Sequence, residues 1–308
     1  MSLSIVVPVF NEEKNVDKLV EEIVKNVDSI TKDYEILLID DGSKDKTWEK
    51  IQQQSNRNKK VIGFKFSRNF GHHYAITAGL HNSSGDWVVV MDGDLQDRPE
   101  VIPDLYRKAQ SGFEVVFVNR INRPESKIYL FFQKLFYLLL NLFSGFEFDS
   151  RQANFSIISK KVVEAYKKFP ESARFYGSTI KWLGFKTGNI EAIHGKRFQG
   201  KPSYSIKKRL KLAFDIILAF SDRPLKIAII IGLIMATVSA AMVIWILVGV
   251  YTWGFSVLGW PSLFAAIFFS TGLILIILGI MGVYLGQVFN QVKNRPLYLI
   301  SESTNKEF

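Results

Sequence analysis

The chain reads as an α/β domain on a mostly parallel sheet, followed by a pair of long apolar helices. Three features lead to this. Val/Ile-rich runs alternate with amphipathic segments over residues 3–119. Most of these runs end in a polar turn, several of them rich in Gly and Asp. Between Lys226 and Lys293 there is no Asp, Glu, Lys or Arg at all.

The elements follow in order. LSIVVPVF (3–10) is a buried strand. After it, Val16, Leu19, Val20, Ile23, Val24 and Val27 fall at helical spacing and form one apolar stripe. Strand YEILLID (34–40), a helix through Trp48 and Ile51, and strand VIGFKFS (61–67) come next. A helix over 72–82, strand WVVVMD (87–92), a helix over 99–111 and strand EVVFVN (114–119) complete the series. Continuous apolar strands interleaved with amphipathic helices imply a sheet covered on both faces. Ligands of such sheets lie beyond the carboxyl ends of the strands. That edge is where FNEE, DDGSKDKT (40–47), SRNFG (67–71) and DGDLQ fall.

Composition supports a second, membrane-directed part. The 308 residues are 48% hydrophobic and include 25 Phe, yet the net charge is +10. A bilayer core of about 30 Å takes roughly 20 apolar helical residues. The charge-free stretch therefore holds two spans, placed at 225–250 and 262–289, around TWGFSVLGWP. KKRLK (207–211), Arg223 and Lys226 precede the first span, and Lys293 and Arg295 follow the second. By the positive-inside rule both ends face the cytoplasm, with Trp253 and Trp260 at the far interface. The start, MSLSIVVPVFNEEKN, is too short in its apolar run for a secretory signal. Cysteine is absent, which rules out a disulfide framework. Anionic lipid explains the basic excess better than nucleic acid, for which no motif occurs.

VVVMDGDLQDRPE (88–100) ends a buried strand on two carboxylates, Asp92 and Asp94. Two Asp around a Gly could be a capped turn. They could equally hold Mg2+ or Mn2+, which take hard oxygen ligands and leave positions for phosphate. DDGS, expected on a neighbouring strand, favours the second reading. Asp40 and Asp41 suit the N–H of a base and the hydroxyls of a ribose, and Gly42 lets a backbone pass close by. Neither GxxxxGK[ST] nor a GxGxxG in the first strand–helix turn is present, which weakens the ATP and NAD readings. The four histidines, His72, His73, His81 and His194, read as surface or hydrogen-bonding residues.

VVPVFNEE, LLIDDGSKDKT, SRNFG, AGL, GDWVVVMDGDLQDRPE and GKRFQGKPSYS together resemble a family 2 glycosyltransferase of GT-A fold. More narrowly, the chain is similar to the polyprenyl-phosphate glycosyltransferases, relatives of dolichol-phosphate mannose synthase, and best to the bactoprenol glucosyltransferases with two transmembrane helices. The likeness runs from about residue 3 to residue 290. It implies transfer of a sugar, glucose by preference, from a UDP-sugar donor to an undecaprenyl-type phosphate, with inversion. N-acetylhexosamine, galactose, mannose or aminoarabinose are the alternative sugars. The resemblance gives Pro8, Phe10, Glu12 and Asp40 as uridine contacts. Asp92, Asp94 and Gln96 form the DxDxQ run, in which Asp94 and Gln96 hold the ion. Arg68 and Asn69 line the donor side, and Arg120 and Arg123 bind anions. Asp149 and Arg151 stand at a turn whose DSRQANF departs from the commoner SGFR form; Asp149 falls to catalysis and Arg151 to the lipid phosphate. Arg197, Ser203 and Tyr204 match a loop that closes over the diphosphate.

A lipid phosphate is already anionic near neutral pH, so no catalytic base is required. KIYLFFQKLFYLLLNLF (127–143) reads as an interfacial helix, with an ordinary buried helix as the alternative. SIKKRLKLAFDIILAF (205–220) has an apolar face opposite Lys207, Lys208 and Arg209, which suit headgroups and the acceptor phosphate. The resulting plan is a cytoplasmic catalytic domain (1–203), an amphipathic helix (204–222), a transmembrane hairpin (223–292) and a tail (293–308). It places a multi-pass protein in a bacterial cytoplasmic membrane, with IIIGLIMATVSAA permitting close packing in a homo-oligomer. A processive polysaccharide synthase lacks support, because no QxxRW-like motif and too few spans are present. A non-catalytic partner would have lost the acidic residues that this chain keeps. Removing 225–308 is expected to leave a UDP-binding domain.

Overall fold

The structure, a computed structural model, describes residues 2–121, 152–169, 171, 175–193, 195, 221, 223–253 and 259–304. These divide into two compact units. The first comprises the described residues up to 195 together with 295–304; the second holds the two long helices.

The first unit is an eight-stranded sheet in the order β7-β5-β6-β4-β1-β2-β3-β8. Its strands are β1 (Leu3–Val9), β2 (Tyr34–Asp40), β3 (Val61–Phe66), β4 (Trp87–Val90), β5 (Val115–Ile121), β6 (Gln152–Ser159), β7 (Thr187–Ile193) and β8 (Ile300–Ser303). β1 lies parallel between β2 and β4, and β2 pairs parallel with β3. This is the expected parallel block. The DDGS strand β2 is not the neighbour of β4, however, because β1 separates them. β6 enters antiparallel between β4 and β5, and β5 pairs parallel with β7. The sheet is thus mixed, and mostly parallel.

Helices α1 (Val16–Val27), α2 (Thr47–Arg57), α3 (His72–Asn82) and α4 (Ile102–Gln110) follow β1 to β4 in turn. α5 (Lys160–Lys167) and α6 (Tyr176–Trp182) follow among the described residues of the unit. Alternation along β1 sorts its side chains between two cores. Leu3, Ile5, Val7 and Val9 pack with Leu19, Ile23, Trp48, Ile51, Ile102 and Leu105 on one face. Val6 faces the other side with Ala75, Ile76, Leu80, Val162, Tyr166 and Tyr176. The i, i+3, i+4 stripe of α1 is buried as its spacing requires, with Val16, Leu19, Val20, Ile23 and Val27 all inward.

The edge strand β8 had no signal in the sequence. It runs antiparallel to β3, with Phe64 opposite Ser303 and Lys65 opposite Glu302. Glu302 accepts from Trp48 Nε1 and from Lys65 Nζ, each at 2.7 Å. Thr304 bonds Ser55 and the N–H of Gly63, each at 2.9 Å. Residues 295–304, read as part of a tail, are therefore part of the sheet unit.

The second unit is built on α7 (Arg223–Trp253) and α8 (Trp260–Val292). Each contains a stretch long and apolar enough to cross a membrane, Leu225–Met242 and Ala266–Val292, with mean hydropathy 2.2 and 2.5. None of either stretch is buried. Hydroxyls of Thr237, Thr252 and Ser270 return to carbonyls one turn back, so these polar groups are satisfied within the helix.

Candidate active site

Strand order reverses at β1: β2 and β3 lie to one side of it and β4 to the other. A crevice at such a reversal is where open α/β sheets bind ligands. Two loops meet there. Gly93 packs so closely on β1 that a Cβ would lie 2.7 Å from Val9 Cγ1 and 3.1 Å from the Pro8 carbonyl. Pro8 itself falls beyond the last β1–β4 pair, Val6 with Val90, so its missing N–H costs that ladder nothing.

The first and second loops are laced together. Asn11, in the left-handed region at φ 55, receives an N–H from Lys44 at 2.9 Å and donates its own to Ser43 Oγ at 2.8 Å. The Glu12 N–H reaches Thr47 Oγ1 at 2.8 Å, and the Glu12 carboxylate accepts from Asn15. Phe10 stands exposed at the rim.

Asp40 and Asp41 take different parts. Asp40 is fully buried; Oδ1 accepts the Ser43 N–H at 2.9 Å, and Oδ2 has no hydrogen-bond partner. Burial raises its pKa. An orphaned buried acceptor is costly unless a ligand satisfies it. Asp41 was expected on the ribose as well. Its carboxylate instead receives the N–H groups of Phe70 at 2.7 Å and Gly71 at 3.0 Å, just ahead of α3. Those amides have no partner of their own at a helix start, so Asp41 serves as a cap supplied from another loop. Gly42, at φ +70, completes the contact: a Cβ there would lie 2.5 Å from the Arg68 carbonyl carbon. The Arg68–Asn69 segment is thereby brought beside DDGS, with both side chains exposed.

The turn after β4 reverses at Leu95, φ 61, and Asp94 Oδ1 accepts the Gln96 N–H at 3.0 Å. Asp94 and Gln96 are half-buried. Asp92 lies between His72 and Arg120, with His72 Nε2 at 3.2 Å from Oδ1 and Arg120 Nη2 at 3.7 Å from Oδ2. Arg120 also reaches Asp97 at 3.0 Å, and Asp97 accepts the Asp92 N–H at 3.2 Å. Burial pushes the Asp92 pKa up, but His72 and then Arg120 outweigh it and hold it at about 2. Burial, then the Asp92 charge, raise Asp97 to about 7. Burial works against a charged His72, yet the Asp92 carboxylate prevails and its pKa is raised. Arg120, expected to bind anions, thus has its guanidinium engaged by two carboxylates.

His72 and Asp97 are site residues that sequence reading passed over. The histidine had a usable signal, since it opens the helix directly after SRNFG on the ligand edge. His73 belongs to the scaffold: its Nδ1 accepts the Tyr176 N–H at 3.3 Å, and burial beside charged His72 pushes its pKa down to about 3. Arg123, Asp149, Arg151, Arg197, Ser203, Tyr204, Lys207, Lys208 and Arg209 lie outside the described residues, as do the stretches 127–143 and 205–220.

The donor set fits a hard divalent cation. Asp92, Asp94 and Gln96 offer only oxygen, on one turn, and Asp92 Oδ1 has no hydrogen bond of good geometry despite its nearness to His72. Among the described residues no cluster of three or more His, Cys, Asp or Glu could hold an ion unaided. Mg2+ and Mn2+ use one or two carboxylates and fill their shell with water and phosphate.

The mixed, mostly parallel sheet with an acidic turn at its reversal point is a GT-A-like fold. The chain belongs to glycosyl transferase family 2, whose model matches residues 4–166. An uncharacterized glycosyltransferase of Bacillus subtilis (strain 168), YkcC, is 36% identical over 305 residues, covering 97% of this chain and 93% of the relative. The SfII prophage-derived bactoprenol glucosyl transferase of Shigella flexneri is 35% identical over 304 residues, 98% of each chain. Glucosyl-3-phosphoglycerate synthase from Mycobacterium tuberculosis, solved in complex with Mn2+, uridine diphosphate and phosphoglyceric acid, superposes with a TM-score of 0.51 at 18% identity. It covers 71% of this chain and 76% of that one, a likeness of fold.

Proposed function

We propose that this glycosyltransferase moves glucose from UDP-glucose to a polyprenyl phosphate at the cytoplasmic face of a bacterial membrane. The observation that carries this is the union, in one chain, of the acidic crevice at β1 and β4 with a hairpin of membrane-crossing length. Full-length relatives named bactoprenol glucosyl transferase support both sugar and acceptor.

The buried Oδ2 of Asp40 accepts an N–H from the uracil, while Arg68 and Asn69 flank the diphosphate. Asp94 and Gln96, backed by Asp92, would hold a divalent ion, which would supply positive charge to the diphosphate leaving group. His72 and Arg120 fix the Asp92 carboxylate in place. A phosphate oxygen of the lipid attacks the anomeric carbon from the face opposite UDP. The new carbon–oxygen bond forms as the bond to UDP breaks, UDP leaves with the electron pair, and the α-linked donor yields a β-linked product. By resemblance to the family, Arg151 is assigned to the acceptor phosphate and Arg197, Ser203 and Tyr204 to the donor; Lys207, Lys208 and Arg209 are assigned to the acceptor phosphate by their charge.

The test is to incubate full-length protein in lipid nanodiscs with polyprenyl phosphate, Mn2+ and a panel of UDP-sugars, then weigh the glycolipids formed. A hexose added from UDP-glucose, and from no other donor at comparable rate, is the expected result. Preference for a different UDP-sugar would overturn the glucose assignment. No product and no UDP release with any donor would overturn the reaction.

A further inference from the structure

We infer that Tyr298, just past the apolar hairpin, positions the donor-side loop Arg68–Asn69 through a row of stacked rings. This rests on the proposed reading of that loop as part of the donor site. Tyr298 lies flat on Phe66, the last residue of β3, with ring centroids 5.2 Å apart and planes within 14°. Phe66 meets the edge of Phe70, 5.6 Å away at 85°. The Arg68 guanidinium sits 4.0 Å above the Phe70 ring.

Backbone contacts frame the row. The Leu299 carbonyl accepts the N–H of Ser67, the first residue of SRNFG, at 3.0 Å. At the loop's other end the Phe70 and Gly71 amides are held by Asp41. The Tyr298 hydroxyl also lies 3.1 Å from His81 Nδ1, near the end of α3. Arg68 and Asn69 are exposed; the Arg68 guanidinium donates to the Asn69 carbonyl at 3.2 Å and rests on the Phe70 ring, which leans on Phe66 and thence on Tyr298. Flat stacking of aromatic side chains, together with a cation over a ring face, favours one loop geometry over the alternatives an exposed loop would sample. Removing the outermost ring lets the row relax and the guanidinium wander from the donor.

Tyr298 therefore acts as a positioning residue for the nucleotide-sugar. The experiment uses full-length protein in nanodiscs with three substitutions: Tyr298→Ala, Tyr298→Phe and Arg68→Ala. UDP binding with Mn2+ is titrated by calorimetry, and KM is measured separately for donor and acceptor. Tyr298→Ala is expected to raise the UDP Kd and the donor KM about tenfold, leaving the acceptor KM within about twofold. Tyr298→Phe keeps the ring and is expected to stay within about twofold of the parent throughout.

A folded Tyr298→Ala protein with unchanged UDP affinity overturns the inference, as does a change confined to acceptor KM. A Tyr298→Phe variant as impaired as the alanine one also overturns it, because the His81 contact rather than the ring would then matter. Should the alanine variant not fold, Tyr298→Leu keeps apolar bulk without a flat ring and is held to the same donor-only rise. Arg68→Ala separates the two levels. Loss of UDP affinity there, with none in Tyr298→Ala, removes only the positioning role; no loss in Arg68→Ala removes the reading of the loop itself.

Discussion

Asp94 shapes its turn and, in the proposed reading, holds the metal, and the two roles can be pulled apart. Its Oδ1 accepts the Gln96 N–H that shapes the turn, and its charge is what a divalent ion would need. Asn keeps the acceptor and drops the charge. Asp94→Asn is expected to lose about 100-fold or more in kcat, with a melting temperature close to the parent's, read by calorimetry and initial rates. His73 makes a prediction in pH. An unfolded histidine takes a proton below about 6.5, whereas native His73 stays neutral down to about 3. The unfolded state therefore binds more protons between those values, so this contribution to stability is full above 6.5 and is lost as the pH falls. Between pH 7 and pH 5 the loss amounts to about 1–2 kcal/mol. His73→Asn, whose Oδ1 can take the Tyr176 N–H, should flatten the urea-stability profile over that interval by the same amount.

At the level of elements, the close approach of the second and third loops turns on Gly42. Gly42→Ala adds a Cβ against the Arg68–Asn69 backbone at a left-handed φ. We expect about 1–3 kcal/mol of destabilisation in urea unfolding, and weaker UDP binding by titration, because the Arg68–Asn69 loop must give way. Much of this layer was legible in advance. The stripe of α1 and the runs of β1 to β4 follow periodicities that short-range sterics enforce, and DDGS, SRNFG and DGDLQ mark the ligand edge through turn chemistry. Strand neighbours were less legible: that β1 separates β2 from β4, and that β6 runs antiparallel, depend on long connections that leave no local imprint. The division of labour between Asp40 and Asp41 was hidden for a similar reason. It is decided by two amides almost thirty positions downstream, and adjacent identical residues look alike until those amides are placed.

For the whole molecule, β8 changes how the chain should be cut. Truncation before residue 225, natural from sequence, deletes the strand that bonds Trp48, Lys65 and Gly63. Such a protein is expected to melt several degrees below one in which 223–294 is replaced by a flexible linker joining 222 to 295, at about 2–4 °C for each kcal/mol lost. Differential scanning of the two proteins checks this. The same strand bears on topology. Chain on both sides of the hairpin contributes to a single sheet, so any crossing by α7 is matched by a return through α8, independently of where the lysines and arginines fall. Order of synthesis adds a last consequence. Residues 300–303 leave the ribosome only after both apolar helices, so until the hairpin has been made β3 is a bare edge, and the enzyme's scaffold is finished last, from its far end.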